Sequence, residues 1–386
     1  MKQRRENFLV YGAPLLEQEE MDEVMDTMRS GWLGTGPKTK KFERMMCEYT
    51  GAKYAVAVSS CTAALHLSMM SLGIGFGDEV ITTPMTFCAT ANSVIHTGAT
   101  PKFVDVHRDT MLMDHSLLEA AITPKTRAII PIHLAGRMCD MDAIHEIAEK
   151  HGIAVIEDAA HCIEGTYKGR KVGTISPLTA FSFYVTKNLT TTEGGMILTD
   201  DEELASRLSV FALHGMSKDA WKRFSSSGYS HYEVVLPGYK CNMTDMQASL
   251  GIHQLNKLER MLVRRNEIWE RYQQELQGLG LGLPAPDEAD NRHARHLYTI
   301  MVDKESCGVS RDEMLTRLNE EKIGSGVHYT ALHLHPFYRE RFGYKPGDFP
   351  NTEWVGDRTL TLPLSAKLTD DDVEDVIWAL RRILQG

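Results

Sequence analysis

Several features are missing from this chain of 386 residues, and each absence removes a class of protein. No uninterrupted apolar run is long enough to span a bilayer. The seven cysteines (Cys47, Cys61, Cys88, Cys139, Cys162, Cys241 and Cys307) contain no C-x-x-C pair, so neither a zinc ribbon nor a thioredoxin-type site is supported. Their scatter and odd number fit reduced thiols in a cytoplasmic protein. Positive charge is not in excess: the formal net charge of −10 argues against nucleic acid as a partner. It leaves room for a local pocket that takes a phosphorylated small molecule. The apolar stretch at residues 8–10 is too short for the core of a signal peptide. Internal repeats and low-complexity segments are also absent. What remains is an ordinary globular composition, 42% hydrophobic and 24% charged, with length for two or three domains.

Periodicity then assigns an architecture. Short β-branched runs at 54–58, 79–82, 102–106, 128–131 and 154–156 alternate with helical patterns at 39–49, 62–72, 87–97, 116–121 and 141–151. Non-alternating strands between helices indicate an α/β fold whose mostly parallel sheet is covered on both faces. The character changes after about residue 200. Residues 215–237 read as a long loop, and 245–276 as one long amphipathic helix. A polar linker at 284–291 leads to strand 296–302, helix 311–320, strand 326–329, an irregular His- and Pro-containing segment and a last helix at 370–384, a smaller α+β unit.

The stretch from Val155 to Met196 holds the densest chemistry. An apolar strand ends in Glu157-Asp158-Ala159-Ala160-His161, and ligands of open α/β sheets gather at such carboxyl ends. About one βαβ length later, Phe181-Ser182-Phe183-Tyr184 leads to Lys187, followed by Glu193-Gly194-Gly195. A lysine at the mouth of a buried strand is a candidate to capture an aldehyde, although a surface lysine is the plain alternative. Asp158 can pair with a protonated pyridine nitrogen or simply cap a helix, and alternation turns only one of Glu157 and Asp158 toward the site. Ser59-Ser60-Cys61-Thr62 opens a helix after a strand and suits a phosphate as well as an ordinary cap, with Ser182 as a second hydroxyl. Phe87, at another strand-to-helix turn, can stack on a flat heterocycle or pack in the core. His161 can meet a phenolic oxygen or be structural. Amine, acid, phosphate donors and stacking ring are together the needs of pyridoxal 5′-phosphate.

In order along the chain, these motifs resemble the DegT/DnrJ/EryC1/StrS family of sugar aminotransferases. The resemblance runs through Ser30-Gly31-Trp32, Gly36-Pro37, Thr62-Ala63-Ala64-Leu65-His66-Leu67, Gly77-Asp78-Glu79-Val80-Ile81 and Thr86-Phe87-Cys88-Ala89-Thr90. It continues through Pro101-Lys102-Phe103-Val104-Asp105-Val106, Glu157–His161, Lys187–Gly195, Gly238-Tyr239-Lys240-Cys241-Asn242-Met243-Thr244-Asp245 and Leu362-Pro363-Leu364. It implies the fold-type-I architecture: a large domain (1–255) with a mostly parallel seven-stranded sheet, and a smaller α+β C-terminal domain (256–386). By the resemblance, Lys187 holds the cofactor and shuttles the proton, and Asp158 faces the pyridine nitrogen. Phe87 stacks on the ring, and His161 stands where many members have Gln. Ser60, Cys61, Thr62 and Ser182 form the phosphate cup, where Cys61 replaces a common Gly.

Family members are homodimers with shared sites, which assigns Asn242 to the partner's phosphate. Many members read Gly-Tyr-Asn-Tyr-Arg where this chain reads Gly-Tyr-Lys-Cys-Asn, so Lys240 competes for that role. The run His214-Gly215-Met216-Ser217-Lys218-Asp219-Ala220-Trp221 looks closest to the branch that makes UDP-4-amino-4-deoxy-L-arabinose and related UDP-4-amino sugars. The implied reaction moves an amino group from an amino acid, L-glutamate by resemblance, to a nucleotide-diphosphate-linked keto sugar, with pyridoxamine 5′-phosphate between the two halves. Trp32, Lys240 and His328 are the substrate candidates. A metal is not expected, because His328, His333 and His335 match no compact ligand motif. Two rivals have specific arguments against them. Dehydratase relatives carry histidine in place of Lys187, and a regulator would need a helix-turn-helix extension. A catalytically silent relative is the remaining alternative.

Overall fold

A computed structural model describes residues 5–217 and 232–385. The motif residues Lys218, Asp219, Ala220 and Trp221 lie outside them, as does most of the expected loop 215–237. Two helices come first, α1 (Gln18–Ser30) and α2 (Pro37–Thr50). Then β1 (Tyr54–Val58), α3 (Cys61–Ser71), β2 (Glu79–Thr82), α4 (Cys88–His96) and β3 (Thr100–Phe103) alternate. The short α5 (Leu118–Ala121), β4 (Thr126–Ile129), α6 (Met141–His151) and β5 (Ala154–Asp158) continue the pattern. A small hairpin, β6 (Thr166–Tyr167) and β7 (Arg170–Lys171), precedes β8 (Leu178–Ser182), β9 (Gly195–Thr199) and α7 (Glu202–Ala212).

The main sheet has seven strands in the order β1-β9-β8-β5-β4-β2-β3. Only β9 runs against its neighbours. The expected α/β class and mostly parallel seven-stranded sheet are therefore what the chain forms. Because six strands point the same way, the turns after β1, β2, β4, β5 and β8 all emerge at one edge. The reversed β9 begins at that edge, so Gly195 lies beside the end of β8.

The rest of the chain is α8 (Asp245–Asn256), α9 (Leu258–Glu275), β10 (Tyr298–Met301), α10 (Lys304–Cys307), α11 (Arg311–Glu320), α12 (Pro336–Phe342), α13 (Pro350–Arg358), β11 (Thr359–Leu362) and α14 (Asp370–Gln385). Antiparallel β10 and β11 share a second core with α9, α11 and α14, built on Tyr272, Tyr298, Met314, Leu362 and Leu380. The first core takes Leu258 and Met261 from the start of α9, so that helix bridges both.

Two expectations need correction. The segment 245–276 is two helices, broken at Lys257, which has non-helical dihedrals (φ −106°, ψ 5°). The Lys257 ammonium reaches the Glu20 and Glu17 carboxylates at 2.5 and 3.1 Å. α8 therefore stays packed on α1 and α2 while α9 turns toward the second core. Residues 326–329 do not form a strand. Gly326 and Thr361 exchange backbone hydrogen bonds at 3.1 and 2.8 Å, and the chain then leaves the pairing. That departure carries His328 and Tyr329 to the edge where the turns collect.

Two buried aspartates tie distant segments together. The Asp105 carboxylate accepts from the Asn351 and Thr352 N–H groups, both at 2.8 Å, joining the end of β3 to the start of α13. The Asp245 carboxylate accepts from the N–H groups of Gly36, Lys38 and Thr39 at 2.8, 3.0 and 2.9 Å and from the Thr39 hydroxyl at 2.7 Å. It caps α2, whose own N-cap, Gly36, has no side chain to do so. Replacing Asp245 by Ala leaves these donors buried without an acceptor. The expected loss is about 3 kcal/mol of stability, read as a lower denaturant midpoint, with a smaller loss for Asp245→Asn.

Candidate active site

The convergent strand ends surround a cavity of about 510 Å³. Ser60, Cys61, Thr62, Phe87, Asp158, His161, Ser182, Lys187 and His328 all line it, although they span 268 residues of sequence (328 − 60). Asn242, Lys240 and Trp32 do not.

One end of the cavity is the N-terminus of α3. Ser60 is its N-cap, and the Ser60 hydroxyl accepts from the Ala63 N–H at 3.1 Å. The N–H groups of Cys61 and Thr62, in the first turn, have no acceptor within the helix and carry the positive end of its dipole. β9 presses against this turn. A Cβ on Gly195 would sit 2.4 Å from the Ser60 carbonyl carbon and 2.6 Å from the Cys61 nitrogen, so any side chain there would displace the cup. Ser182 pairs in register with Gly195 and brings its hydroxyl to the same end. Burial, and then the Asp158 charge, push the Cys61 thiol well up, so it stays protonated.

Asp158 and Glu157 take opposite faces, as strand alternation requires. Glu157 is fully buried away from the cavity. It is 2.7 Å from His133 Nε2 and accepts from the Ser176 N–H at 3.0 Å and the Thr179 hydroxyl at 3.1 Å. Asp158 lines the cavity and accepts from the Thr90 hydroxyl at 2.8 Å and the Ala160 N–H at 3.2 Å. Burial pushes its carboxyl above the usual range despite the opposing effects of those bonds and of Lys187. This is a carboxylate short of a counter-charge.

Lys187 is half-buried in the cavity wall, and burial pushes its amine down to about 8, against the pull of Cys61 and Asp158. The next residue holds its loop in place. The Asn188 amide donates to Glu164 and to the Ala294 carbonyl, both at 2.8 Å, and its oxygen is 3.0 Å from His296 Nδ1. Glu164 pairs in turn with buried Arg265. His161 Nδ1 accepts from the Ala135 N–H at 3.3 Å, which leaves the ring proton on Nε2, 3.3 Å from the Tyr329 hydroxyl. Burial, reinforced by Lys187, keeps this histidine neutral, well below its usual range. Phe87 is 58% exposed although it is apolar, because its ring faces the cavity. His328 bonds the Thr361 hydroxyl at 2.8 Å, and burial pushes it down to about 4.

The remaining candidates lie together elsewhere. The Asn242 amide donates to the Thr35 hydroxyl at 2.6 Å, and its oxygen accepts from the Lys240 ammonium. Trp32 is on the same loop as Thr35 and donates to the Thr35 carbonyl at 3.2 Å. His333 pairs with Glu353 at 3.0 Å and His335 with Thr330 at 3.0 Å, so the three histidines considered for a metal go to separate partners. Among the described residues no group of three or more His, Cys, Asp or Glu is placed to hold a metal ion.

Sequence reasoning gave no role to Thr90, Asn188, Glu164 or Arg265. Thr86 lies just before the N-cap of α4, and its hydroxyl is 2.8 Å from that of Thr90 in the first turn. Glu164 and Arg265 are 101 residues apart, and no local signal joins them.

Known proteins resemble the chain along nearly its whole length. Residues 14–381 match the model of the DegT/DnrJ/EryC1/StrS aminotransferase family. The chain is 54% identical to the spore coat polysaccharide biosynthesis protein SpsC of Bacillus subtilis, with all of both chains covered. A putative sugar aminotransferase of Streptococcus pneumoniae, Spr1654, superposes in its PMP form with a TM-score of 0.91 at 38% identity, covering 98% of this chain and 99% of that one. Its PLP form superposes with a TM-score of 0.90. PseC of Helicobacter pylori, an aminotransferase in pseudoaminic acid biosynthesis, superposes with a TM-score of 0.90 at 28% identity, covering 98% and 100%. The chain belongs to the DegT/DnrJ/EryC1/StrS aminotransferase family and is a pyridoxal-phosphate-dependent sugar aminotransferase.

The lowered amine gives a prediction that needs no cofactor. In the apoprotein, acetylation of Lys187 followed by peptide mass mapping should rise with pH through about 8, because the neutral amine forms above that value. Exposed lysines should respond only near pH 10.

Proposed function

From that family membership we propose that the enzyme moves an amino group from L-glutamate to a nucleotide-diphosphate-linked keto sugar, a UDP-4-keto sugar, in cell-surface polysaccharide synthesis. The SpsC relative, named for spore coat polysaccharide, supports the polysaccharide role. The observation that carries the reading is one cavity that joins an amine lowered to about 8, a buried carboxylate short of a counter-charge and an open helix N-terminus.

The residues fit pyridoxal phosphate. The α3 turn, with Gly195 giving it room, holds the phosphate through the N–H groups of Cys61 and Thr62 and the hydroxyls of Ser60, Thr62 and Ser182. Asp158 would face the pyridine nitrogen, whose proton would supply the missing counter-charge. Phe87 covers the ring, and the Nε2 proton of His161 faces the phenolic oxygen. When bound, the cofactor supplies an aldehyde for amine capture and a ring that accepts an electron pair. Lys187 Nζ would hold the cofactor's aldehyde carbon, and its free amine would take a proton from the donor's α-carbon. An amine lowered to about 8 keeps a substantial neutral fraction at neutral pH for that transfer. Asp158, tied down by Thr90 and Ala160, keeps the ring nitrogen protonated. His328 helps hold the sugar.

The working unit is a homodimer in the cytoplasm, with domains dividing near residue 255. α1 exposes Met21, Met25 and Met28 along one face, and Trp32 and Leu33 follow, an apolar stripe suited to a second copy. Asn242 reaches the partner's phosphate, and Lys240, bonded to it behind that loop, competes for that role.

Replacing Lys187 by Ala should lower turnover about 10³-fold or more while part of the cofactor binding remains. The donor assignment is checked by the visible absorbance of the holoenzyme, which L-glutamate should bleach. A panel of nucleotide keto sugars, supplied to the glutamate-treated enzyme, should restore the band only with a UDP-4-keto sugar. Wild-type turnover in the lysine variant would remove the assignment.

A further inference from the structure

A second cavity of about 280 Å³ lies between the two cores and shares no lining residue with the first. Ala135 stands between them, lining the second cavity while its N–H group donates to His161 in the first. The second cavity takes no part in the transamination described above.

Its walls combine flat apolar surface with unbalanced positive charge. Trp269 comes from α9 and Trp354 from α13, with Met111, Leu134 and Leu283 around them. The Arg108 guanidinium lies 5.4 Å from the Trp354 ring centre. Arg108 Nε donates to Asn351 at 2.8 Å, and its terminal nitrogens have no partner among the described residues. The Arg137 guanidinium donates to the Ala285 and Pro286 carbonyls at 2.5 and 2.9 Å and comes no closer than 3.8 Å to Asp287. Burial lowers Arg137, and Asp287 and Glu288 offset this only in part. His293 Nδ1 accepts from the Arg295 N–H at 2.9 Å, so the ring proton sits on Nε2, which has no acceptor among the described residues. Asp109 is the only carboxylate in the wall, and it already accepts from the Thr110 N–H at 2.8 Å. Among the described residues the wall therefore holds two permanent cations and an unused imidazole N–H against one lining carboxylate, with Asp287 outside the wall at 3.8 Å from Arg137.

We propose that this cavity binds a small planar anion: a single aromatic or heteroaromatic ring system bearing a carboxylate or a phosphate. The ring packs against the indole of Trp354 and the part of Trp269 that lines the cavity, whose indole otherwise carries Arg295 and His293 at 4.3 and 4.9 Å, so that aromatic contact adds to apolar burial. The anionic group meets Arg108, Arg137 and the His293 Nε2 proton, in charge-assisted hydrogen bonds. At about 280 Å³ the space suits one such ring system and is too small for a whole nucleotide-linked sugar.

The test is calorimetric titration of the holoenzyme with two probes, indole-3-carboxylate for the carboxylate source and phenyl phosphate for the phosphate source. At least one should bind once per chain. Arg108→Ala should weaken that binding about tenfold. Ala285→Trp, which fills the cavity, should abolish it. Turnover should be unchanged by Arg108→Ala. The probe that passes both variants identifies the source. The proposal is overturned if neither probe binds at millimolar concentration, or if Arg108→Ala leaves the binding of both unchanged. Since Arg108 and Ala285 line this cavity and not the one that holds Lys187, the effect of the two variants on binding is independent of which sugar the enzyme aminates.

Discussion

Strand β5 lies at the centre of the sheet with both faces covered, so its last two residues carry carboxylates into buried positions, Glu157 within the core and Asp158 in the cavity wall. A buried carboxylate is costly unless its environment answers it. Glu157 is answered within the protein by His133, Ser176 and Thr179. Asp158, one residue later and on the other face, receives two hydrogen bonds and remains pushed upward by burial. That deficit is the electrostatic premise of the site. A cation placed opposite Asp158 is stabilised there, and a protonated pyridine is a cation of suitable shape.

The reversal of β9 is the second constraint. A parallel strand following β8 would require a long crossover, which would carry the chain away from the sheet edge. Running antiparallel, β9 starts beside the end of β8, so the loop between them stays over the cavity with Lys187 on it. Two features then fix this loop. Gly195, with no side chain, lets β9 lie against the Ser60 turn, and Asn188 anchors the far end to Glu164 and Ala294. The Glu164–Arg265 pair behind Asn188 is buried, and such pairs contribute more to a defined arrangement than to net stability. The lysine is held at a set position in an apolar wall, and its lowered pKa follows from that position.

Much of the site was legible because its parts are local. Asp158, Lys187, Ser60 and Phe87 each sit at the end of a strand, and a strand end can be read from a few adjacent residues. The structure adds that these ends share one edge and one cavity. The break at Lys257 was not legible, since apolar positions keep helical spacing through residues 245–276. Glu17 and Glu20, more than 230 residues earlier, engage the lysine at the break. Residues 326–329 have strand-like composition but pair only at Gly326, because the tertiary path turns His328 and Tyr329 inward.

The sequence by itself determined the alternation of strands and helices from β1 to β5, the family and the cofactor chemistry, because periodicity and short motifs depend on neighbours in the chain. Only the tertiary structure decided which carboxylate of the Glu157–Asp158 pair faces the cavity and how far burial lowers Lys187. It also decided which distant acids, Asp245, Asp105 and Glu164, hold the surrounding segments in place. Those outcomes depend on desolvation and on contacts between residues far apart in the chain, quantities that exist only once the chain is packed.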